Sequence, residues 1–348
     1  KFNTENNYST FLKDIVDAKN SQSLFIIVGA GVSISQLYPD WNLYVDSLIK
    51  YWQFNLDELV THNEDTYLKE VQVEDIYFLR KLSETNLSNK RKVDLVHHII
   101  NKYCESNDNE IRNRLFKKNV LNFEKKFFSK YKPMISSNVI LRSLVKLYPI
   151  FITTNYDLEI EKSLINEERI QPNIIKDISL VSKDRARPEY VLHIHGIPSE
   201  DTNLDFFISS SKSYSDLYYR QNQYHKKFKE IFIERKNTLV LFVGCSMEED
   251  EVLSLFDFEY SNIKYYSLMK FNSQGSDIVL QKYYNEVIKE YYSSKDIEFI
   301  WFGEEYDDLQ YFLEKLLKDV DVLETTESNQ NFNAEKLRNT LLGIGTEI

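Results

Sequence analysis

The chain has 348 residues, 42% of them hydrophobic and 28% charged, enough to build and bury a globular core. Its 8 Gly and 6 Pro exclude a collagen-like chain and argue against a many-turned all-β protein. A formal net charge of −11 makes nucleic acid and anionic membranes poor default partners.

The first strand is expected at Leu24–Val28, ending in Gly29-Ala30-Gly31-Val32-Ser33. After Pro39, the residues Trp41, Tyr44, Val45, Leu48, Ile49 and Trp52 recur at helical spacing and predict an amphipathic helix. A strand, a Gly-rich turn and a helix together open an α/β unit. From Asp57 to Lys132 strand signals stop and charged and aliphatic residues alternate at helical spacing. That stretch is expected as a helical module, 57–132, inserted into a frame made of 1–56 and 133–320. A helix over Val139, Ile140, Leu144 and Val145 leads to a strand at 149–154. Further strands are expected at 190–194, 204–208, 239–243, 263–268 and 297–301. Helices are expected at 217–234, 249–258, 276–291 and 306–317. Short apolar strands alternating with helices predict a doubly wound, mostly parallel, Rossmann-like sheet. The remainder, 321–348, is a polar tail and a candidate partner-docking arm. There is no apolar run of 18 residues, and the polar start has no signal-peptide character. A cytoplasmic location without a membrane span is therefore expected.

Four strand ends carry candidate chemistry. Gly29-Ala30-Gly31 can bring backbone close to a pyrophosphate, although a tight strand-to-helix turn explains two glycines as well, and the full G-x-G-x-x-G stops at Ile34. Thr153-Thr154-Asn155-Tyr156-Asp157 leaves the strand at 149–154; Asp157 can cap the next helix, an explanation that suits Asn155 less well. His193-Ile194-His195-Gly196 ends another strand. Alternation would point both histidines the same way, with His195 beside a Gly that permits close approach. Gly244-Cys245-Ser246 follows the strand at 239–243, and Gly244 and Ser246 are candidate ligand contacts. The cysteines, Cys104 and Cys245, lie far apart in sequence and cannot supply a zinc site, so no metal is expected.

In this order the segments resemble the sirtuin (silent information regulator) superfamily, and within it the zinc-less sirtuin-like domains of bacterial anti-phage defence systems. By that resemblance Gly29, Ala30, Gly31 and Ser33 match a phosphate-binding loop, and Pro39-Asp40-Trp41 stands where sirtuins have Pro-Asp-Phe-Arg. Asn155 and Asp157 match the Asn and Asp of Gln-Asn-Ile-Asp, and His195 matches the catalytic His. Gly244 and Ser246 match the turn on the adenosine half. Thr154 replaces Gln, Asn42 stands at the Arg, and the four-cysteine zinc module is missing. The resemblance implies NAD as substrate, Asn155 and His195 as catalytic residues, and Gly29, Ala30, Gly31, Ser33, Asp40, Thr154, Asp157, Gly244 and Ser246 as NAD contacts. Asp157 would bind the carboxamide or orient Asn155.

The departures favour an NAD glycohydrolase that depletes NAD in anti-phage defence. A protein deacylase, an ADP-ribosyltransferase or a non-catalytic NAD-binding module are the alternatives. His195 is expected to accept a proton with a pKa in its ordinary range. The resemblance further implies a homo-oligomer, or an activating partner such as a HerA-type ATPase or an Argonaute. The basic residues of 112–132 read as a solvated helix face, with contact to an acidic partner surface or nucleic acid as the alternative; for the whole acidic chain direct nucleic-acid binding is not expected.

Overall fold

The computed structural model describes residues 5–34, 36–61, 72–104, 109–130, 138–176, 187–197, 208–220, 222–233, 235–247, 249–256, 262–273 and 277–341. Seven strands form one sheet: β1 (Leu24–Val28), β2 (Ile150–Thr153), β3 (Asn173–Ile175), β4 (Tyr190–His193), β5 (Thr238–Val243), β6 (Ile263–Lys270) and β7 (Ile297–Gly303). Their order is β3-β4-β2-β1-β5-β6-β7 and every pairing among them is parallel. The chain leaves β1 to one side for β2–β4 and returns to the other side for β5–β7. The switch point therefore lies at β1, where ligand crevices form in such sheets.

The central strands are fully buried runs of Leu, Ile, Val and Phe, as parallel strands covered on both faces require. On one face Phe25, Ile27, Ile152, Leu192 and Phe242 pack under α10 (Asn222–Ile233), α11 (Asp250–Leu253) and α12 (Ile278–Ser293). On the other, Leu24, Ile26, Val28, Phe151 and Val191 pack under α1 (Glu5–Asn20), α7 (Val139–Val145) and α13 (Asp308–Leu341). No helix among the described residues is long and apolar enough to cross a membrane.

Between β1 and β2 the described residues are helical. The short α2 (Ala30–Ile34) is followed by α3 (Trp41–Thr61), α4 (Val73–Leu82), α5 (Asn89–Tyr103) and α6 (Asn109–Lys130). Helices α3–α6 share a separate core in which Tyr44, Leu48, Leu79, Val93, Val96 and Phe123 are buried. The beginning of α3 thus joins the helical core to the edge of the sheet.

Three elements differ from the sequence expectation. Helix α1 forms where only a polar start was anticipated, because Phe11, Ile15, Val16 and Ala18 fall on one face and are fully buried. Strand β3 is three residues at the sheet edge, two exposed and one partly buried, too short to show an apolar run. Helix α13 runs on to Leu341 through the segment set apart as a tail. Of the strand expected at 204–208, all but Ile208 lies outside the described residues.

The turns after β1 and β5 are zipped together. Gly29 N–H donates to Val243 O (3.0 Å) and Gly31 N–H to Gly244 O (2.9 Å). A Cβ on Gly244, at φ +68°, would sit 2.6 Å from Val32 N. Gly244→Ala therefore meets both a left-handed backbone and a clash. It is expected to lower stability by about 2–4 kcal/mol, read as a fall in urea midpoint at unchanged slope. An unchanged midpoint would show that the turn relaxes freely.

Candidate active site

Val28 pairs with both Thr153 and Val243, and Thr153 pairs with His193. The carboxyl ends of β1, β2, β4 and β5 are therefore level, and the four loops leave the sheet side by side. Between them and the start of α3 lies a cleft of about 650 Å³, counting its open mouth. Ala30, Ser33, Thr154, Asn155, Asp157 and His195 line it from the sheet side. Tyr38, Pro39, Asp40, Trp41 and Tyr44 line it from the α3 side, and Tyr156, Tyr214 and Glu249 complete it.

Asn155 is held from several directions. The Thr153 hydroxyl donates to Val28 O (2.8 Å) and accepts the Asn155 backbone N–H (3.0 Å), which turns the chain at the strand end. The side-chain Nδ2 donates to Gly29 O (3.1 Å) and to Ser33 Oγ (3.0 Å). A carbonyl oxygen only accepts, so the amide nitrogen must face Gly29. Oδ1 is then left, without a partner among the described residues, as the acceptor offered to a ligand. Ser33 in turn hydrogen-bonds Asp157, and Asp157 Oδ1 accepts the Glu159 backbone N–H (3.0 Å). Asp157 thus caps α8 (Glu159–Ser163) and also anchors the Ser33–Asn155 chain. Burial pushes the Asp157 carboxyl up, against the hydrogen bonds from Ser33 and Glu159.

His195 is buried, with Nε2 2.8 Å from the Tyr218 hydroxyl and a hydrogen bond to the Thr154 backbone. The Tyr214 ring meets the imidazole edge-on at 5.0 Å, and Lys90 Nζ sits 3.8 Å over Tyr214. Burial first, and then the nearby Lys90 charge, push the imidazole down to about 3. The expectation of an ordinary histidine pKa is therefore corrected: His195 is neutral throughout the physiological range. With the Thr154 carbonyl taking the ring N–H, Nε2 is the acceptor, and Tyr218 occupies it.

The two histidines do not face the same way. Strand β4 ends at His193, and a turn closed by Gly196 N–H to His193 O (3.1 Å) swings His195 to the Tyr214–Tyr218 side. His193 goes to the opposite face, where Nδ1 donates to Asn155 O (3.1 Å) and Nε2 lies 2.7 Å from Glu161 Oε1 on α8.

Other candidates fall elsewhere. The N–H groups of Gly29 and Gly31 are spent on the β5 turn, so these glycines and Gly244 serve close loop packing. Ser246 is exposed and does not line the cleft. Asp40 lines it, and its Oδ1 accepts the Leu43 N–H (2.7 Å) at the start of α3. Burial pushes the Cys245 thiol up to about 12, which keeps it protonated and unreactive. The aromatic lining is not legible in the sequence. Trp41 stacks on Tyr44 with centroids 4.9 Å apart and planes 8° apart, while Tyr156 and Tyr214 flank His195. The i, i+3 spacing of Trp41 and Tyr44 reads as core helix, and only the seat of α3 at the sheet edge brings them to the cleft.

Residues 149–300 match the family model of the SIR2-like domain. The chain carries a SIR2-like domain. That match supports a place in the sirtuin-like superfamily and an NAD-related function, since SIR2-like domains use NAD as substrate. The SIR2-like domain contains Asn155, Asp157, His195, Gly244 and Ser246. The turn after β1 and the start of α3 precede it in sequence; pairing of β1 with β2 and β5 brings the turn to the cleft, and the packing of α3 brings its first residues there. No curated protein matches the chain.

Proposed function

We propose that this chain is an NAD glycohydrolase, which cleaves NAD with water to nicotinamide, ADP-ribose and a proton. The observation that carries the reading is the pair of acceptors at one cleft, Asn155 Oδ1 and His195 Nε2, each fixed by hydrogen bonds on its other polar atom. A module that only bound NAD would need neither acceptor beside a reacting bond.

Asp40, Asp157 and Glu249 line the cleft, and among the described residues no Lys or Arg does. Such a cleft suits a cationic nicotinamide ring and the positive charge that develops on the ribose as the glycosidic bond breaks. Nicotinamide leaves with the bonding electron pair as a neutral base, so no strong acid is required. Asn155 Oδ1 holds the attacking water or a ribose hydroxyl without adding charge. His195 Nε2, once the Tyr218 hydroxyl yields its place, takes the proton. An imidazole pushed down to about 3 is always in its acceptor form but is a weak base, so orientation is the larger part of its role.

The resemblance to defence sirtuin-like domains supports the finer reading of an NAD-depleting effector in bacterial anti-phage defence. On that reading activity is held low until the chain self-assembles or meets an activating partner, such as a HerA-type ATPase or an Argonaute. The two cysteines cannot build the four-cysteine module of a zinc-dependent deacylase, which favours hydrolysis over deacylation.

The deciding experiment incubates the full chain with NAD, with and without an acylated peptide, and resolves the products. Nicotinamide and ADP-ribose in equal amounts, independent of peptide, are expected. His195→Ala is expected to lower turnover roughly 10²-fold, the low end for a positioned base. Because His195 stays neutral, wild-type kcat/KM should show no histidine limb near pH 6.5. Peptide-dependent turnover, or NAD binding without products, would overturn the assignment.

A further inference from the structure

Beneath Asn155, away from the cleft, His193 and Glu161 form a closed polar unit. His193 is fully buried and Glu161 nearly so, at 4% exposed. The ring sits between two acceptors, the Asn155 backbone carbonyl at 3.1 Å and Glu161 Oε1 at 2.7 Å. Satisfying both takes a proton on each ring nitrogen, or a proton on Glu161. In either case Nδ1 must carry hydrogen toward Asn155. Glu161 Oε2 has no partner among the described residues, so the carboxylate serves His193. A core histidine needs no such arrangement, because a buried carboxylate is costly unless it has work to do.

Resting on the reading of Asn155 as the cleft's reacting-site acceptor, we propose that Glu161–His193 is a positioning pair for Asn155. Glu161 fixes the ring, and the ring holds the Asn155 carbonyl from one side. Gly29 O and Ser33 Oγ hold its side-chain amide from the other. Between these anchors only Oδ1 faces the ligand. Neither residue of the pair lines the cleft, and the hydrogen bond by which the pair reaches it goes to the Asn155 backbone carbonyl.

The test uses the full chain and four variants, His193→Ala, His193→Asn, Glu161→Gln and Asn155→Ala. NAD turnover is measured together with the NMR signal of the Asn155 side-chain amide, which is assigned by its loss in Asn155→Ala. His193→Ala is expected to lower kcat on the order of 10²-fold, the scale of a small misplacement, with KM little changed. The Asn155 amide signal should shift with it. In His193→Asn the amide nitrogen stands where Nδ1 stood, and both kcat and signal should return toward wild type. Glu161→Gln can donate to Nε2 and keep Nδ1–H on the carbonyl, so it should stay near wild type. A His193→Ala protein with wild-type kcat and an unmoved signal overturns the proposal, even when Asn155→Ala is inactive. A loss that raises KM equally and is not rescued by His193→Asn marks a merely structural histidine and also overturns it. An Asn155→Ala protein that turns over NAD normally overturns instead the reading of Asn155 as the reacting-site acceptor, on which the proposal rests, and the amide signal then decides only whether the pair positions the Asn155 side chain.

Discussion

Asn155→Ala is expected to lower NAD turnover about 10²–10³-fold, the range for removing one preorganised polar group from a reacting centre. Its two side-chain donors go to Gly29 O and Ser33 Oγ, so the variant loses the only polar atom that Asn155 presents to the cleft. The backbone contacts that seat the residue, Thr153 Oγ1 on its N–H and His193 on its carbonyl, survive the change. The protein should therefore fold, at a cost of roughly 1–3 kcal/mol for the two hydrogen bonds lost, with Gly29 O still accepting the Val32 N–H (3.2 Å). Circular dichroism and nicotinamide release, measured on the same sample, separate the two effects. A folded variant with wild-type turnover would remove Asn155 from the chemistry.

Glu124→Gln is expected to stabilise the protein at alkaline pH and to leave it nearly unchanged at pH 5. Glu124 is fully buried in the helical core, where Oε1 accepts the Tyr44 hydroxyl and Oε2 has no partner among the described residues. Burial pushes its carboxyl up to about 8 from an ordinary 4.5, only partly opposed by the Tyr44 hydrogen bond. Below pH 4.5 the carboxyl is protonated in both the folded and the unfolded chain. As pH rises the unfolded chain ionises first, so stability falls steadily until about pH 8. The accumulated cost is on the order of 3–5 kcal/mol. A glutamine has the shape of the neutral acid and does not ionise. At pH 9 the variant should melt roughly 4–7 °C above wild type, with the difference closing by pH 5. Equal shifts at both pH values would show that Glu124 does not titrate over this range.

Six of the seven strands are legible because a parallel strand with both faces covered must be a short run of Val, Ile, Leu and Phe. Strand β3 is not, since Asn173-Ile174-Ile175 lies at an edge and buries little. The signal for α1 is present in Phe11, Ile15 and Val16, but the polar residues before them mask it. In the site, Asn155, Asp157 and His195 are legible because each lies in the loop that leaves the carboxyl end of a strand. The direction of His193 is not, because alternation fails where β4 ends and the chain turns. The depressed basicity of His195 depends on Tyr214, Tyr218 and Lys90, which reach it only through tertiary packing. The glycine turn misleads in the opposite sense. Its spacing suggests phosphate binding, while Gly29 and Gly31 are spent on contact with Gly244.

The strand order also sets a timetable for synthesis. Central strand β1 pairs Phe25 with Ile150 and with Val240, so its neighbours leave the ribosome long after it does. At translation speeds of about 5–20 residues per second, β1 waits roughly 6–25 s for β2 and longer for β5. Helices α3–α6, with a core of their own, can collapse in the interval. Helix α1 precedes β1 and can cover Leu24, Ile26 and Val28, while Phe25 and Ile27 on the other face wait for helices made later, the condition under which nascent chains recruit chaperones or aggregate. Asn155 cannot be seated against Gly29 until β2 arrives, nor the Gly29–Gly244 contact close until β5 does. On the proposed NAD-cleaving reading, the late assembly of the site leaves the unfinished chain without activity.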